Sequence, residues 1–226
     1  MTTHRARRPA PRPNRSIAMT KHRTIVFAAA ALLGLAIALP LPVAAQTPVQ
    51  DGARKFVDGL AEKAIAALTI KDISEKERAQ RFRTLLVESF DVPAIGRFAL
   101  GKYWREASEL QKTEYLKLFE AMIVATYASS FGEYSGEAIK MKEARIDDPR
   151  LITVQSEVVK PGNPAIRVDW RVLTDEGSKF RVVDVVVEGI SMSLTQRNDY
   201  AAVIQRNGGT VDGLLVALRD KAKRFE

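Results

Sequence analysis

The stretch from Arg181 to Met192, RVVDVVVEGISM, decides how the rest of the chain must be arranged. A strand with one face in solvent alternates apolar and polar residues, because successive side chains point to opposite faces. Valine at positions 182, 183, 185, 186 and 187 breaks that alternation and places apolar side chains on both faces. The sequence therefore predicts that both faces of this strand are covered, one of them by the chain's own helices.

Three turn signals divide the region after Ile139 into four predicted strands. The signals are Asp147–Pro149, Pro161–Pro164 and Asp175–Ser178, and turns this short favour an antiparallel meander. The clearest strand is AIRVDWRVL, which alternates strictly. Its apolar face carries Ile166, Val168, Trp170 and Val172, and its polar face carries Arg167, Asp169 and Arg171.

Four helices are predicted before the strands and two after them, which indicates an α+β domain. Residues 121–131 carry no charge, so the end of the fourth helix is expected to be enclosed on nearly every side. Either this segment and the valine-rich strand form the centre of a filled core, or they line an apolar pocket between the sheet and the helices. The predicted helices are Asp51–Leu68, one capped by Ser74, Asp91 to Gly101, Ser108 to about Phe131, Asn198–Arg206 and Thr210 to about Lys223.

The first 45 residues have the layout of a secretory signal peptide. Basic residues precede an apolar run of 17 residues from Ile25 to Leu41, and small residues lead to Ala45, after which we expect cleavage. An uncleaved anchor is the alternative, because that run is close to the minimum spanning length. Met19 offers a second start, which would make residues 1–18 an upstream extension. We therefore expect export to the periplasm, one domain over residues 46–226, and no membrane-embedded segment after cleavage.

Charge and residue types exclude several functional classes. The chain has a formal charge of +8, but seven of its 35 basic residues lie in the first 45 positions, so the remainder has 28 basic against 27 acidic residues. A nearly neutral domain does not fit nucleic-acid binding, which needs a basic groove. His4 and His22 are the only histidines, and cysteine is absent. Histidine-based catalytic triads and the usual zinc sites are therefore unavailable to the exported domain, and we predict no metal site.

The remaining catalytic candidates are weak. Asp184 and Glu188 lie four residues apart on one strand face, or roughly 13 Å, whereas glycosidase carboxylates need about 5 to 9.5 Å. We instead predict that Asp184 is buried and paired with an arginine or backbone amides. The segment Asn207–Thr210 follows a helix rather than a strand, so it is predicted to connect two helices and not to bind phosphate. We predict no catalytic residue, although a Ser-Lys or two-carboxylate enzyme stays open.

Two blocks of the sequence resemble the MlaC family of periplasmic phospholipid-binding proteins, also called toluene-tolerance auxiliary proteins. The blocks are Phe90–Glu137 and Val182–Gly209, and the resemblance extends over about Asp51 to Lys223. A related hopanoid-associated branch has a similar pattern and is not separated from it. The matching landmarks are Leu100-Gly101 with Tyr103, Tyr127, Tyr134-Ser135-Gly136, Asp184 and Glu188-Gly189-Ile190-Ser191-Met192.

The resemblance implies a carrier of phospholipid cargo without a cofactor. Such a carrier shuttles phospholipid between an outer-membrane lipoprotein–porin complex and an inner-membrane ABC-transporter complex, which maintains outer-membrane asymmetry. Because each buried CH₂ contributes about 0.8 kcal/mol, a 16-carbon chain in water costs on the order of 12 kcal/mol, and the protein must wrap it. We expect a monomer, and we keep a non-lipid interaction module as the alternative.

Within this reading, three groups of side chains are expected to form the lipid site. One sheet face, whose parity the sequence leaves open, would carry Val168, Trp170, Val172, Val183, Val185 and Val187 toward the lipid. Helices would supply the opposite wall with Leu100, Tyr103, Leu118, Met122 and Tyr127. Arg97 or Arg105 would meet the phosphate at the mouth.

Overall fold

The structure is a computed structural model that describes residues 47–175, 177 and 179–222. The predicted signal peptide lies outside the described residues, all of which belong to one unit, Ala44–Glu226. Within this part of the chain, no helix is both long enough and apolar enough to span a bilayer. The helices are α1 (Pro48–Leu68), α2 (Glu75–Ser89), α3 (Val92–Leu100), α4 (Tyr103–Glu106), α5 (Glu109–Tyr127), α6 (Met192–Arg206) and α7 (Val211–Ala222).

The strands lie between α5 and α6 and form one antiparallel meander. Their order in the sheet follows the sequence, as the short turns predicted. The fold is therefore α+β, with a fifth, two-residue strand that the sequence did not predict. The strands are β1 (Ala138–Asp148), β2 (Leu151–Val159), β3 (Ile166–Asp175), β4 (Lys179–Val187) and β5 (Ile190–Ser191).

Local capping chemistry sets most helix starts. The hydroxyl oxygens of Ser74 and Ser108 accept hydrogen bonds from the backbone N–H three residues on, and the carboxylate of Asp91 does the same for α3. Each bond satisfies an N–H that has no partner inside its helix. Gln111 also accepts from the Ser108 backbone N–H, which completes the predicted capping box.

Three helix predictions need correction. A short helix, α4, follows Gly101, so five helices rather than four precede the sheet within the described residues. Helix α5 ends at Tyr127, and a 3-10 helix over Ser129–Glu133 follows it. Tyr127 is 45% exposed, whereas the end of this helix was expected to be enclosed. Helix α6 begins at Met192, six residues before the predicted start, because the Ser191 side chain caps it by accepting from the Leu194 N–H.

A β-bulge explains the valine-rich strand. Arg171 of β3 lies opposite Asp184, but its neighbour Val172 lies opposite Val182, so Val183 is an extra residue. Because of this shift, Val182 joins Val185 and Val187 on one face of β4, while Val186 lies opposite Asp169 on the other face. Strict alternation would place Val183 on the same face as Val185 and opposite Val172. The bulge gives that position to Val182 instead.

Side chains paired across the strands form one continuous apolar surface, here called the apolar face. Residues that lie directly opposite one another project to the same side of a sheet. The face consists of four rows across the strands: Ile146, Ile152, Val172, Val182; Ala144, Val154, Trp170, Val185; Met141, Ser156, Val168, Val187; and Ile139, Val158, Ile166.

The buried apolar residues form two clusters rather than one. The sheet cluster joins α1 to the apolar face, with Ala53, Val57 and Leu60 packed on the sheet. The helical cluster joins α2 to α7 and is centred on Tyr115 and Phe119. Phe90 packs against both clusters, and it forms a parallel bridge with Val182 at the edge of β4. Phe90 is thus one of the places where the helical half and the sheet half meet.

Asp184 fastens the start of α6 to the opposite, polar face of the sheet. Its carboxylate accepts hydrogen bonds from the Ser191 hydroxyl at 2.6 Å and the Ser193 N–H at 3.0 Å, and it forms an ion pair with Arg171 at 3.1 Å. The Asp184 side chain is 4% exposed, so these bonds replace its hydration. The expectation that Asp184 is buried and paired with an arginine and a backbone amide is confirmed.

Removing this carboxylate should destabilise the fold. In Asp184→Ala, the Ser191 and Ser193 donors and the Arg171 cation lose their shared acceptor, which should lower the free energy of unfolding by about 2–3 kcal/mol. Chemical denaturation followed by circular dichroism measures the change. The control is Asp58→Ala on the exposed side of α1, expected to stay within about 0.5 kcal/mol. Equal stability of the two variants would contradict this account.

Candidate functional site

The apolar face is buried where α1 packs on β2, β3 and β4, and it is partly open in two places: at Ile146 on the outer strand β1, which is 42% exposed, and in the row that contains Ile166. In the row that contains Ile152, both Val172 and Val182 are completely buried. At the opposite end, Ile166 is 46% exposed, while Ile139 and Val158 beside it are half-buried. Exposing side chains of this kind to water is unfavourable by about 25 cal/mol for each Å². The open rows therefore form an apolar surface that a guest molecule could cover.

Helix α1 is the wall that faces the apolar face, and the sequence reading did not include it in the site. The aromatic ring of Phe56 stacks on Phe180 of β4 with a centroid distance of 5.9 Å. The amide of Gln50 also donates to the backbone carbonyl of Ala144 in β1 at 2.6 Å. The signal was present in the sequence, because Phe56, Leu60, Ala64 and Leu68 repeat at helical spacing. Periodicity did not indicate which element this stripe would contact.

One polar side chain lies within the apolar face. Ser156 is fully buried, its hydroxyl donates to the Val168 carbonyl at 2.8 Å, and the Trp170 indole N–H donates to the same hydroxyl at 3.0 Å. Both polar groups are therefore satisfied without water. The pair fixes the Trp170 ring in the second row of the face, where it is half-buried.

Most of the predicted helical wall lies in the helical cluster and away from the sheet cluster. Leu100, Tyr103 and Met122 are buried there, and Leu118 packs against them. The Tyr115 ring contacts the Trp104, Phe119 and Tyr200 rings, with the nearest centroids 5.7 Å apart, and its hydroxyl donates to the Gly96 carbonyl at 2.9 Å. Burial raises the pKa of the Tyr115 hydroxyl, which stays a neutral donor.

The predicted site residues are thus separated into two groups. Trp170, Val172 and Val185 belong to the sheet cluster or pack against it, and Val168 and Val187 share their face. The predicted helical residues do not join them, because Leu100, Tyr103 and Met122 fill the neighbouring core. The apolar face and α1 are the elements that the structure places opposite one another.

Arg97 and Arg105 do come together, in a cleft on the outer side of α3 and α4. The cleft has a volume of about 480 Å³ and is also lined by Lys102 and by Arg197 of α6. Leu100 and Tyr103 point from the same two helices into the helical cluster. The remaining lining residues are Ala94, Phe98, Gly101 and Trp104.

Arg197 is held in this cleft by packing rather than by an acid. Its guanidinium carbon lies 5.2 Å from the centre of the Phe98 ring, a cation–π arrangement. On its other side lies Gly101, where an added Cβ would sit 2.9 Å from the Arg197 Nε. Gly101 also has a φ of +60°, which side chains rarely adopt. Glycine therefore permits both the chain turn between α3 and α4 and the close approach of the guanidinium.

A second, smaller cavity of about 210 Å³ lies between α2, α3 and α5. It is formed by residues of these three helices and of the segment that joins α2 to α3. Its lining is mainly apolar, with one lysine and one glutamate at the rim, and consists of Val87, Phe90, Val92, Pro93, Leu116, Lys117 and Glu120.

The carboxylates considered for catalysis accept hydrogen bonds that stabilise the fold. Asp184 holds α6, and Glu188 accepts a hydrogen bond from the Arg167 N–H. The segment Asn207–Thr210 connects α6 to α7, as predicted. In the described part of the chain, His, Cys, Asp and Glu side chains form no group of three suited to a metal ion.

Comparisons with known proteins agree in family and fold. The model of the MlaC protein family matches residues 58–220. The toluene tolerance protein ttg2D of Pseudomonas putida is 27% identical over 187 residues, which span 80% of this chain and 84% of that protein. A phospholipid-binding protein from Ralstonia solanacearum, solved in complex with a phospholipid, matches with a TM-score of 0.68 at 23% identity. That match covers 76% of this chain and 98% of the other, and it shows a shared fold.

Two glycine substitutions should have opposite effects on stability. Gly101→Ala should lower the free energy of unfolding by about 1–3 kcal/mol, because a Cβ is strained at this φ and meets Arg197. Gly59→Ala, in the middle of α1 with no atom within 4 Å of the added Cβ, should raise it by about 0.5–1 kcal/mol. Urea denaturation measures both changes. A neutral Gly101→Ala would refute the proposed role of this glycine.

Proposed function

Because this chain belongs to the MlaC family, we propose that it is a periplasmic lipid carrier that holds the acyl chains of a phospholipid against the apolar face. The relative from Ralstonia solanacearum was solved with a phospholipid, which supports this cargo class. The name of the Pseudomonas putida relative, a toluene tolerance protein, is consistent with a role in maintaining a membrane barrier.

The partly open end of the apolar face is the observation that carries the proposal. Ile139, Val158 and Ile166 form its last row, and Met141, Val168 and Val187 lie in the next. The sheet already contains a buried cluster under α1 that does not include the last row, so the partly exposed side chains of that row are surplus to what the fold needs. An acyl chain laid across them would exchange water for hydrocarbon on both surfaces, which is the driving force for lipid capture.

Transfer requires no covalent chemistry. A carrier must bind lipid strongly enough to cross an aqueous gap and must release it when an acceptor offers comparable affinity. Entry from the Ile166 end would leave the row of Val172 and Val182 undisturbed under α1. Deeper seating of the chain would require α1 to move outward. The bonds that would resist this movement include the one from Gln50 to Ala144.

Membership of the family supports a cellular role. We propose that the exported protein shuttles phospholipid between an outer-membrane lipoprotein–porin complex and an inner-membrane ABC-transporter complex as a monomer, thereby maintaining outer-membrane asymmetry. A hopanoid cargo is the second candidate, because the sequence pattern does not separate that branch of the family. A filled interaction module without cargo is the third.

Native mass spectrometry with lipid extraction tests the cargo directly. The protein, expressed with export and purified without detergent, should carry close to one equivalent of phospholipid. Recovery of a hopanoid in its place would assign the chain to that branch. Recovery of no lipid, even after incubation with phospholipid vesicles, would reject the carrier function.

A charge in the open end of the apolar face should prevent lipid capture. Ile166→Asp places a carboxylate at a position that is already 46% exposed, so the fold should persist while the amount of co-purified lipid falls at least fivefold. The control is Val216→Asp on α7, which is 51% exposed and lies outside the apolar face. Lipid phosphorus per mole of protein is the readout. Equal lipid content in both variants would place the cargo elsewhere.

A further inference from the structure

The cleft outside α3 and α4 gathers four cations, none of which forms an ion pair with a described acidic side chain within 4.0 Å. Arg97, Lys102, Arg105 and Arg197 all line it, and all four are exposed. Within the described residues, every ion pair shorter than 4.0 Å involves other cations. The arrangement is notable because the chain beyond residue 45 is nearly neutral overall. Four like charges around one concavity repel one another unless an anion joins them.

Two of these cations are oriented by aromatic rings. Arg197 lies over Phe98, and the Lys102 ammonium lies 5.0 Å from the centre of the Tyr103 ring. Phe98 is 43% exposed, so it offers its ring to Arg197 at the surface instead of packing in the core. An ordinary solvated arginine has neither a stacking partner nor a glycine that makes room for it. The site therefore holds its charge in a defined place before any ligand arrives.

The chemistry of the lining suits an oxyanion such as phosphate. Guanidinium groups bind phosphate oxygens through paired N–H donors, and an ammonium adds a compact charge. The volume of about 480 Å³ falls within the usual range for small-molecule sites and exceeds what a single phosphate fills. Space thus remains for an ester group beside Phe98 or Trp104. We propose that this cleft is a binding site for a phosphate ester, supplied either by a soluble molecule or by a lipid head group.

The site is distinct from the acyl-chain surface proposed above. The cleft is formed by α3, α4 and α6, and none of its lining residues belongs to the sheet. Leu100 and Tyr103 point from α3 and α4 into the helical cluster, which separates the cleft from that side of the molecule. Phosphate binding and acyl-chain binding can therefore be tested separately, and either can fail without the other.

Trp104 provides the measurement. It lines the cleft, and the only other tryptophan, Trp170, can be removed by Trp170→Phe. The emission of Trp104 in this variant is titrated with glycerol 3-phosphate, and separately with phosphatidylcholine vesicles that contain or lack phosphatidylglycerol. Calorimetric titration of the unmodified protein with glycerol 3-phosphate gives a second readout that does not depend on the variant.

Charge removal identifies the residues responsible. Arg97→Gln combined with Arg105→Gln should weaken phosphate-ester binding by about tenfold or more, since each charged hydrogen bond contributes appreciably. Arg206→Gln is the matched control, because Arg206 is an exposed arginine on α6 that does not line the cleft. It should change binding by less than about twofold. Thermal denaturation of each variant establishes that the fold is retained.

The outcomes separate the two sources of phosphate. Binding of glycerol 3-phosphate supports a soluble ester, whereas a response only to vesicles with phosphatidylglycerol supports a lipid head group. The absence of both responses overturns the proposal. A response to a glutamate-rich peptide without any response to phosphate also overturns it, in favour of an acidic protein partner. Equal losses in the double variant and in Arg206→Gln would reject the assigned cleft.

Discussion

The structure depends on the different coverage of the two ends of one sheet face. Four rows of side chains cross the strands, and α1 lies over the rows that contain Val154 and Val172. A single helix is only about 10 Å wide, so it cannot cover every row of a sheet whose strands run to eleven residues. The row that contains Ile166 is left partly open as a result. This exposure is unfavourable in water, and in the function proposed above it is the surface that binds lipid.

The helical half provides a firm support for this surface. Its cluster is filled by large rings, among them Tyr115, Phe119 and Tyr200, so its residues serve the fold rather than a guest. Several contacts connect the two halves. Phe90 packs against both clusters, and the Asp91 N–H donates to the Val182 carbonyl at 3.0 Å. Asp184 adds a second tie through the start of α6.

The sequence predicted what depends on local chemistry and missed what depends on contacts between distant elements. Caps such as Ser108 and the turns between strands are local, and they were located correctly. The burial of Asp184 followed from its place in an apolar strand. The bulge at Val183 was missed because no local pattern marks an extra residue. Likewise, a helical stripe such as that of α1 indicates that one side is buried, not which partner buries it. The four cations of the outer cleft converge only because α6 packs beside α3, at nearly a hundred residues' separation.

The edges of the sheet bear on the solubility of a protein with this much apolar surface. The unpaired backbone groups of an edge strand can pair with an edge strand of a second molecule. An exposed apolar face beside that edge would stabilise the association. Strand β1 is the outer strand in the described chain, and it carries Lys140, Lys142, Glu143 and Arg145, with register shifts that interrupt its regular ladder. At the other edge, Phe90 and β5 occupy the positions beside β4. Two molecules that meet would therefore find charged side chains and irregular backbone at one edge of the sheet and an edge already occupied at the other, which disfavours the growth of fibrils from either edge.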